Sequence, residues 1–199
     1  VDESGEFRKG DEGVFDEKGN CIHVCPPPEQ VNELMKQLFE WIKKNNDEIH
    51  PLIMSSIFHY EFVFIHPFSD GNGRTARLWQ TAILANWKEL FKYIPIESII
   101  RKHQEEYYIA IQNCNNAGES TEFIEFMLKM IDNTIDACRF VWNKLLGERE
   151  EHYEITGEYL HNEYTDLMWD VDGDMINGFL HDVNAKSLQM TRMNLDNAY

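Results

Sequence analysis

His66-Pro67-Phe68-Ser69-Asp70-Gly71-Asn72-Gly73-Arg74-Thr75-Ala76-Arg77 is the stretch on which the reading of this 199-residue chain turns. Before it, Pro51 opens a run whose apolar residues, Leu52, Ile53, Ile57, Phe58, Phe62, Val63 and Phe64, cover most of a helical circumference. That pattern predicts a central helix. His66-Pro67 ends it, because the residue before a proline is pushed out of helical geometry. Gly71, Asn72 and Gly73 tolerate unusual backbone angles on the approach to the next helix. Such a loop can turn successive N–H groups toward one point, and the helix it opens adds unpaired N–H groups and partial positive charge.

The charged residues of the stretch sharpen that picture. Arg74 and Arg77 share one helix face near its start, where cations oppose the dipole and need a reason to be there. A bound polyphosphate supplies one. Asp70 sits beside this positive focus, and one carboxylate with phosphate oxygens and waters is the usual way Mg²⁺ is held on a nucleotide. His66 stands where a neutral imidazole could take a proton from a hydroxyl. Phe68 reads as a buried anchor for the loop. Singly, each residue has a plainer reading: a cap, a turn, or a solvent-facing arginine. Nine residues of the right kind within twelve positions favour the joint reading.

Working outward, Val14-Phe15 and Cys21-Ile22-His23-Val24 predict two short strands around a turn, spanning about 14–24. Ile22 and Val24 are expected inside, with Cys21, His23 and Cys25 outside. Those last three superficially suggest a metal site, but no partner CxxC or HxxxH supplies a fourth ligand. Pro26-Pro27-Pro28 stops the hairpin. From Glu29, the residues Val31, Leu34, Met35, Leu38, Phe39 and Ile42 recur at helical spacing until Asn45-Asn46-Asp47. After the signature stretch, the helix stripe is expected to be Leu78, Trp79, Ile83 and Leu84. One further helix is predicted over about Glu97 to Asn115. Another, capped by Ser120 or Thr121, has a core stripe running from Phe123 to Trp142. Beyond Gly147 the pattern weakens. Asp170-Val171-Asp172-Gly173-Asp174 is only briefly like a calcium loop, since Met175 and His181 stand where an EF-hand needs Gly and Glu.

The net charge is −17, from 18 basic and 35 acidic residues. It argues against a general binder of nucleic acid or anionic membranes. The excess is uneven: eight acids and three bases over residues 1–30, fifteen and eleven over 31–142, twelve and four over 143–199. Any anion site therefore belongs in the nearly balanced middle. No apolar run is long enough to span a membrane. The N-terminus has no signal-peptide pattern and no Met, which suggests an excised fragment. Four cysteines form no dense disulfide framework and fit a reducing compartment, so a cytoplasmic setting is expected.

The quoted stretch matches the HPFx(D/E)GNGRxxR signature of the Fic domain without a departure. The chain is similar to Fic domains also at Gly5-Glu6-Phe7-Arg8, in the hairpin ending at Pro26-Pro27-Pro28, and from Tyr107-Tyr108 through Gly118. The resemblance covers about residues 4–142. It implies an all-α fold with a short β-hairpin flap, so that residues 1–142 form the domain and 143–199 an acidic, helical appendage. It also implies a nucleotidyltransferase that moves AMP from ATP to a Tyr, Thr or Ser hydroxyl of a target protein, a protein adenylyltransferase. His66 would be the general base and Asp70 the Mg²⁺ ligand. Gly71, Asn72 and Gly73 would bind phosphates, with Arg74 and Arg77 toward the β and γ positions. Tyr108 and Asn115 would line the nucleoside pocket, while Tyr107 simply packs. The flap around Lys18-Gly19 would dock the target by adding a strand.

Fic enzymes are commonly restrained by an (S/T)xxxE(G/N) helix. Here a Glu before Gly or Asn occurs only at Glu12-Gly13, with Arg8 at the Ser/Thr position. An unrestrained fragment, or inhibition by another polypeptide, is therefore expected. The alternatives are a Fic-fold transferase moving another phosphate-containing group and a non-catalytic nucleotide-binding module. Nucleic-acid binding through the tail is disfavoured by its charge.

Overall fold

Pro28 and Pro51 each open a helix where proline's missing N–H would have had no partner anyway. In the computed structural model, which describes residues 5–15, 19, 21–92, 94, 96–168, 175, 177, 180 and 185–196, helix α1 runs Pro28–Asn45 and α2 Pro51–Ile65. Then come α3 (Asn72–Trp87), α4 (Ile96–Lys102), α5 (Gln104–Ala117), α6 (Thr121–Thr156) and α7 (Ala185–Asp196). An antiparallel hairpin of β1 (Gly13–Phe15) and β2 (Cys21–Val24) precedes them, as the sequence predicts. Most of the turn joining the strands, and the Asp170–Asp174 stretch, lie outside the described residues. No described helix is long and apolar enough to cross a membrane.

The chain divides into two compact units, residues 1–92 with 103–129 and residues 93–102 with 130–199. In the first, α2 is central: Met54, Phe58, His59, Tyr60, Phe62, Val63 and Ile65 are all buried. Phe58 meets Phe39 of α1 and Trp79 of α3, with ring centroids 5.7 and 5.6 Å apart. Burying such an aromatic side chain contributes roughly 1.5–3 kcal/mol. Ser55 and Ser56 are also buried, and each donates its hydroxyl to the Leu52 carbonyl one turn back. In the second unit, Ala137, Val141 and Leu145 of α6 pack with Leu167, Met168, Leu180, Leu188 and Leu195. Arg149 there is buried and donates to Asn162 and Asp196 at 2.8 and 2.7 Å. Helix α6 runs unbroken through residues 142–143. The segment beyond contains a 3₁₀ turn, Tyr164–Leu167, and α7.

Three local expectations are corrected. In the hairpin, Val24 is 78% exposed while His23 and Cys25 are buried. The ladder pairs Val14 with His23 but Phe15 with Cys21, so Ile22 is an extra residue in β2. This bulge breaks the alternation and leaves Cys21 exposed although His23 faces in. In α3, the buried row is Asn72, Ala76, Gln80 and Leu84, spaced by four, while Leu78 and Trp79 are exposed. Two of those four are polar, so hydropathy pointed to the wrong stripe. The helix expected over 97–115 is two helices, interrupted at His103, whose φ of −113° and ψ of 37° leave the helical basin. At the start of α6, the Glu119 carboxylate receives both the Thr121 N–H and its hydroxyl.

A buried polar chain links three helices of the first unit. His59 Nδ1 donates to Gln80 Oε1 at 2.6 Å, and its Nε2 accepts from the Tyr107 hydroxyl at 3.2 Å. All three side chains are buried. Gln80→Met keeps the volume but leaves the His59 N–H unpaired, which costs about 1–3 kcal/mol. A lowered urea midpoint with an unchanged slope is the expected result.

Candidate functional site

Helix α2 ends with four carbonyls that no further turn can satisfy. Three of those four, and the two carbonyls that follow, meet donors from the chain. Phe62 O takes the His66 N–H at 3.0 Å. Phe64 O takes His23 Nε2 at 2.8 Å, and the two rings lie 4.5 Å apart. Ile65 O and His66 O take the Arg8 guanidinium, from Nη2 at 3.3 Å and Nε at 2.7 Å. Pro67 O takes the Arg8 backbone N–H at 2.9 Å. The rest of the guanidinium donates to Gly10 O and Pro26 O. Arg8 is thus a cation with 2% exposure whose guanidinium donates to backbone carbonyls.

His66 sits at the centre of this arrangement with φ 52° and ψ 61°. Among the described residues it is the only non-glycine with positive φ. A left-handed histidine costs on the order of 1–2 kcal/mol and persists where its surroundings over-determine it. Burial lowers the imidazole's pKa, the Val63 carbonyl opposes that, and the Arg8 charge adds to it. Nδ1 is buried without a hydrogen bond, the Val63 contact being too loose to count as one.

The loop from Phe68 to Asn72 is closed by one amide. Asn72 Oδ1 accepts the Phe68 N–H at 2.9 Å, and Nδ2 returns a bond to Phe68 O at 2.6 Å. Phe68 itself is partly buried between Phe7 and Phe62, close to the anchor role expected of it. Gly71 follows at φ 84° and begins α3 with no side-chain cap and no acid in the first turn. Asp70 receives the Gly71 N–H at 2.6 Å and pairs with Arg74 at 3.0 Å. A β-carbon at Gly71 would lie 3.5 Å from the Arg74 guanidinium, and one at Gly73 only 3.0 Å from that of Arg77. Gly71 is thus required by its positive φ rather than by space, while Gly73 lets the Arg77 guanidinium lie close over the start of the helix. The structure brings together an uncapped helix N-terminus, two guanidinium groups, one exposed carboxylate and a held imidazole.

Tyr108 and Asn115 lie on α5 in the same unit. Asn115 Oδ1 accepts from the Tyr60 hydroxyl at 2.8 Å, while its Nδ2 is buried without a partner. Burial raises the Tyr60 phenol's pKa, so it stays protonated to donate that bond. Tyr107 is buried against His59, Phe123 and Phe126, a packing residue as expected. Sequence reasoning gave no role to Arg8, His23, His59 or Gln80. Their partners are backbone carbonyls or distant side chains, which leave no local pattern.

A mainly helical domain with a glycine-rich loop between two helices, a histidine at its entrance and two arginines just after it is the arrangement that defines the class of this protein. Residues 1–84 match the Fic/DOC family, and the chain carries a domain of that family. It is 37% identical over 136 residues to a protein adenylyltransferase Fic of Nematostella vectensis, covering 68% of this chain and 29% of that protein. Its counterpart in Aedes aegypti is 33% identical over 141 residues, 70% of this chain and 26% of that protein. The chain thus spans under a third of the length of these relatives. A crystal structure of a Fic family protein from Desulfovibrio desulfuricans G20 covers all of this chain and 55% of its own, at 34% identity and a TM-score of 0.64. That likeness includes residues 143–199, which the signature alone left unexplained.

A helix-turn-helix domain is also matched, over residues 129–158. In the structure residues 129–156 belong to the single helix α6, with no turn between two helices. The matched stretch has four basic and seven acidic residues, a poor surface for a polyanion.

Proposed function

We propose that this chain transfers AMP from ATP to a Tyr, Thr or Ser hydroxyl of a target protein. The observation that carries the reading is the juxtaposition, across one loop, of a held imidazole and an uncapped helix N-terminus overlaid by two guanidinium groups. His66 takes the proton of the target hydroxyl as its oxygen attacks the α-phosphorus. The bond to the β-phosphate oxygen breaks and pyrophosphate leaves. Negative charge grows on that leaving side, where the N–H groups of α3 and the guanidinium groups of Arg74 and Arg77 stabilise it. Asn115 Nδ2 and the partly exposed Tyr108 ring would serve the nucleoside.

Mg²⁺ fits this site as a nucleotide-borne ion. Asp70 offers one exposed carboxylate, and no group of three acidic, histidine or cysteine residues makes a protein cage among the described residues. When bound, the ion would neutralise phosphate charge. Asp70 is the residue to hold it once Arg74 turns from the carboxylate to the phosphates.

The hairpin is the proposed docking edge for the target, with exposed Phe15 and Val24 beside its backbone. The (S/T)xxxE(G/N) motif is not among these 199 residues, and both readings stand as proposals: an unrestrained fragment, or inhibition by another polypeptide. Glu12 and Arg8 stand in an irregular lead-in, and Arg8 is committed elsewhere. The four free cysteines fit a reducing compartment, and the cytoplasm is the proposed setting. Incubation with labelled ATP and Mg²⁺ in a cell lysate, followed by mass spectrometry, tests the function. Adenylyl adducts on hydroxyl side chains are expected. Phosphoryl adducts alone, or no adduct from a chain that binds ATP, would overturn it.

A further inference from the structure

We infer that Arg8 and His23 are positioning residues, a clamp on the consecutive carbonyls of Phe64, Ile65, His66 and Pro67 that fixes the backbone and ring direction of the catalytic base. The inference rests on the reading of His66 as that base. Phe64 O is held by His23, Ile65 O and His66 O by the Arg8 side chain, and Pro67 O by the Arg8 N–H. These contacts surround the one described non-glycine residue with positive φ. A guanidinium suits the task because its donors form a rigid fork, so one side chain ties α2 to Gly10 and Pro26 as well. An ammonium at the same place can reach fewer of those carbonyls.

The clamp also joins two functions. His23 lies in β2 of the hairpin and grips the end of α2, so the proposed docking strand and the base share one set of hydrogen bonds. Burial lowers the His23 pKa against the effect of its bond to Phe64, so the ring remains a neutral donor. Around His66 the charged and titratable neighbours are Arg8, Glu12 and His23. Arg8 and His23 oppose protonation of the imidazole and Glu12 favours it. Removing the Arg8 charge therefore makes His66 easier to protonate.

Arg8→Lys and Arg8→Gln separate geometry from charge. Both are expected to lower kcat by about 10²-fold, the loss typical of a misplaced catalytic group. KM and calorimetric affinity for ATP should stay within about threefold, since neither residue is part of the phosphate loop. Only Arg8→Gln should move the acidic limb of the pH–kcat profile to higher pH. Unchanged kcat in both variants overturns the clamp, as does an acidic limb in Arg8→Gln that coincides with the parent. His23→Gln supplies the milder probe if Arg8 variants do not fold. It should lower kcat with ATP affinity retained, and an unchanged kcat counts against the clamp. Should the parent chain transfer no AMP, the functional reading fails by itself. Carbonyl carbon NMR shifts of residues 64–67 in Arg8→Lys still decide the clamp: displaced resonances support it and unchanged ones overturn it.

Discussion

His66→Ala is expected to bind ATP as the parent does and to lose AMP transfer by about 10²–10⁴-fold, the usual contribution of a positioned general base. Three features make the effect large. The ring follows a backbone turn that few residues adopt, so no neighbour can stand in for it. Its Nδ1 is buried and unbonded, so the alanine variant strands no hydrogen-bond partner there. The imidazole pKa is lowered chiefly by burial, so the neutral, proton-accepting form dominates at neutral pH. The sign of the pH dependence follows: transfer is lost as pH falls through the His66 pKa, and that midpoint lies below the ordinary histidine value of about 6.5. A binding isotherm for ATP and a pH–rate profile check both statements. Transfer that survives in His66→Ala removes His66 from the role of base.

The same lowering bears on stability. His23 and His66 both have lowered pKa values when folded, so the unfolded chain binds more protons as the solution becomes acidic. Their contribution is complete above the ordinary histidine range and is lost as pH falls through it toward the lowered folded values.

How far the sequence reveals the fold depends on where each element's partners lie. Helices α1 and α2 were legible because their own periodicity and their prolines decide them. The buried face of α3 was not, since Asn72 and Gln80 occupy half of it for hydrogen bonds made to a loop and to another helix. The hairpin was visible as two strands, but an inserted residue breaks the alternation, and His23 and Cys25 face in where Val24 was expected to. The break at His103 carries no glycine or proline to announce it. Helix α6 runs on through Gly147 to Thr156, although its apolar pattern weakens after that glycine.

The site divides along the same line. The local shape of residues 66–77 was legible because it is written in local residue types: a proline to stop one helix and glycines for the turn into the next. Their support was not. Arg8 acts on atoms 57 to 58 positions away, and those atoms are carbonyls present at every residue. His23, expected to face outward, instead completes that support. The structure also refines one assigned role. The Asn72 side chain braces Phe68 through both its oxygen and its nitrogen, so its backbone N–H is the group the proposed function would offer a phosphate.

That refinement yields a crossed pair of outcomes. Asn72→Ala removes both bonds to Phe68 and leaves a backbone N–H and C=O without their partner, a loss of about 1–3 kcal/mol. Asn72→Asp keeps the oxygen that accepts the Phe68 N–H but sets a second carboxylate oxygen against Phe68 O. An acid at the start of α3 gains about 0.3–1 kcal/mol from the helix dipole, where the first turn now has none. Asn72→Asp should therefore unfold at a higher urea midpoint than Asn72→Ala, with both below the parent. ATP affinity should run the other way, because a carboxylate charge at this position lies near the N–H groups at the start of α3 on which the proposed phosphate site depends. Even at an effective dielectric near 20, like charges several ångströms apart repel by about 2–4 kcal/mol, and screening reduces that to roughly tenfold in affinity. Equal ATP affinity in the two variants would mean that the phosphates do not sit at the start of α3. The stability order alone, without the reversed affinity order, would leave Asn72 a structural brace and take the anion site away from this loop.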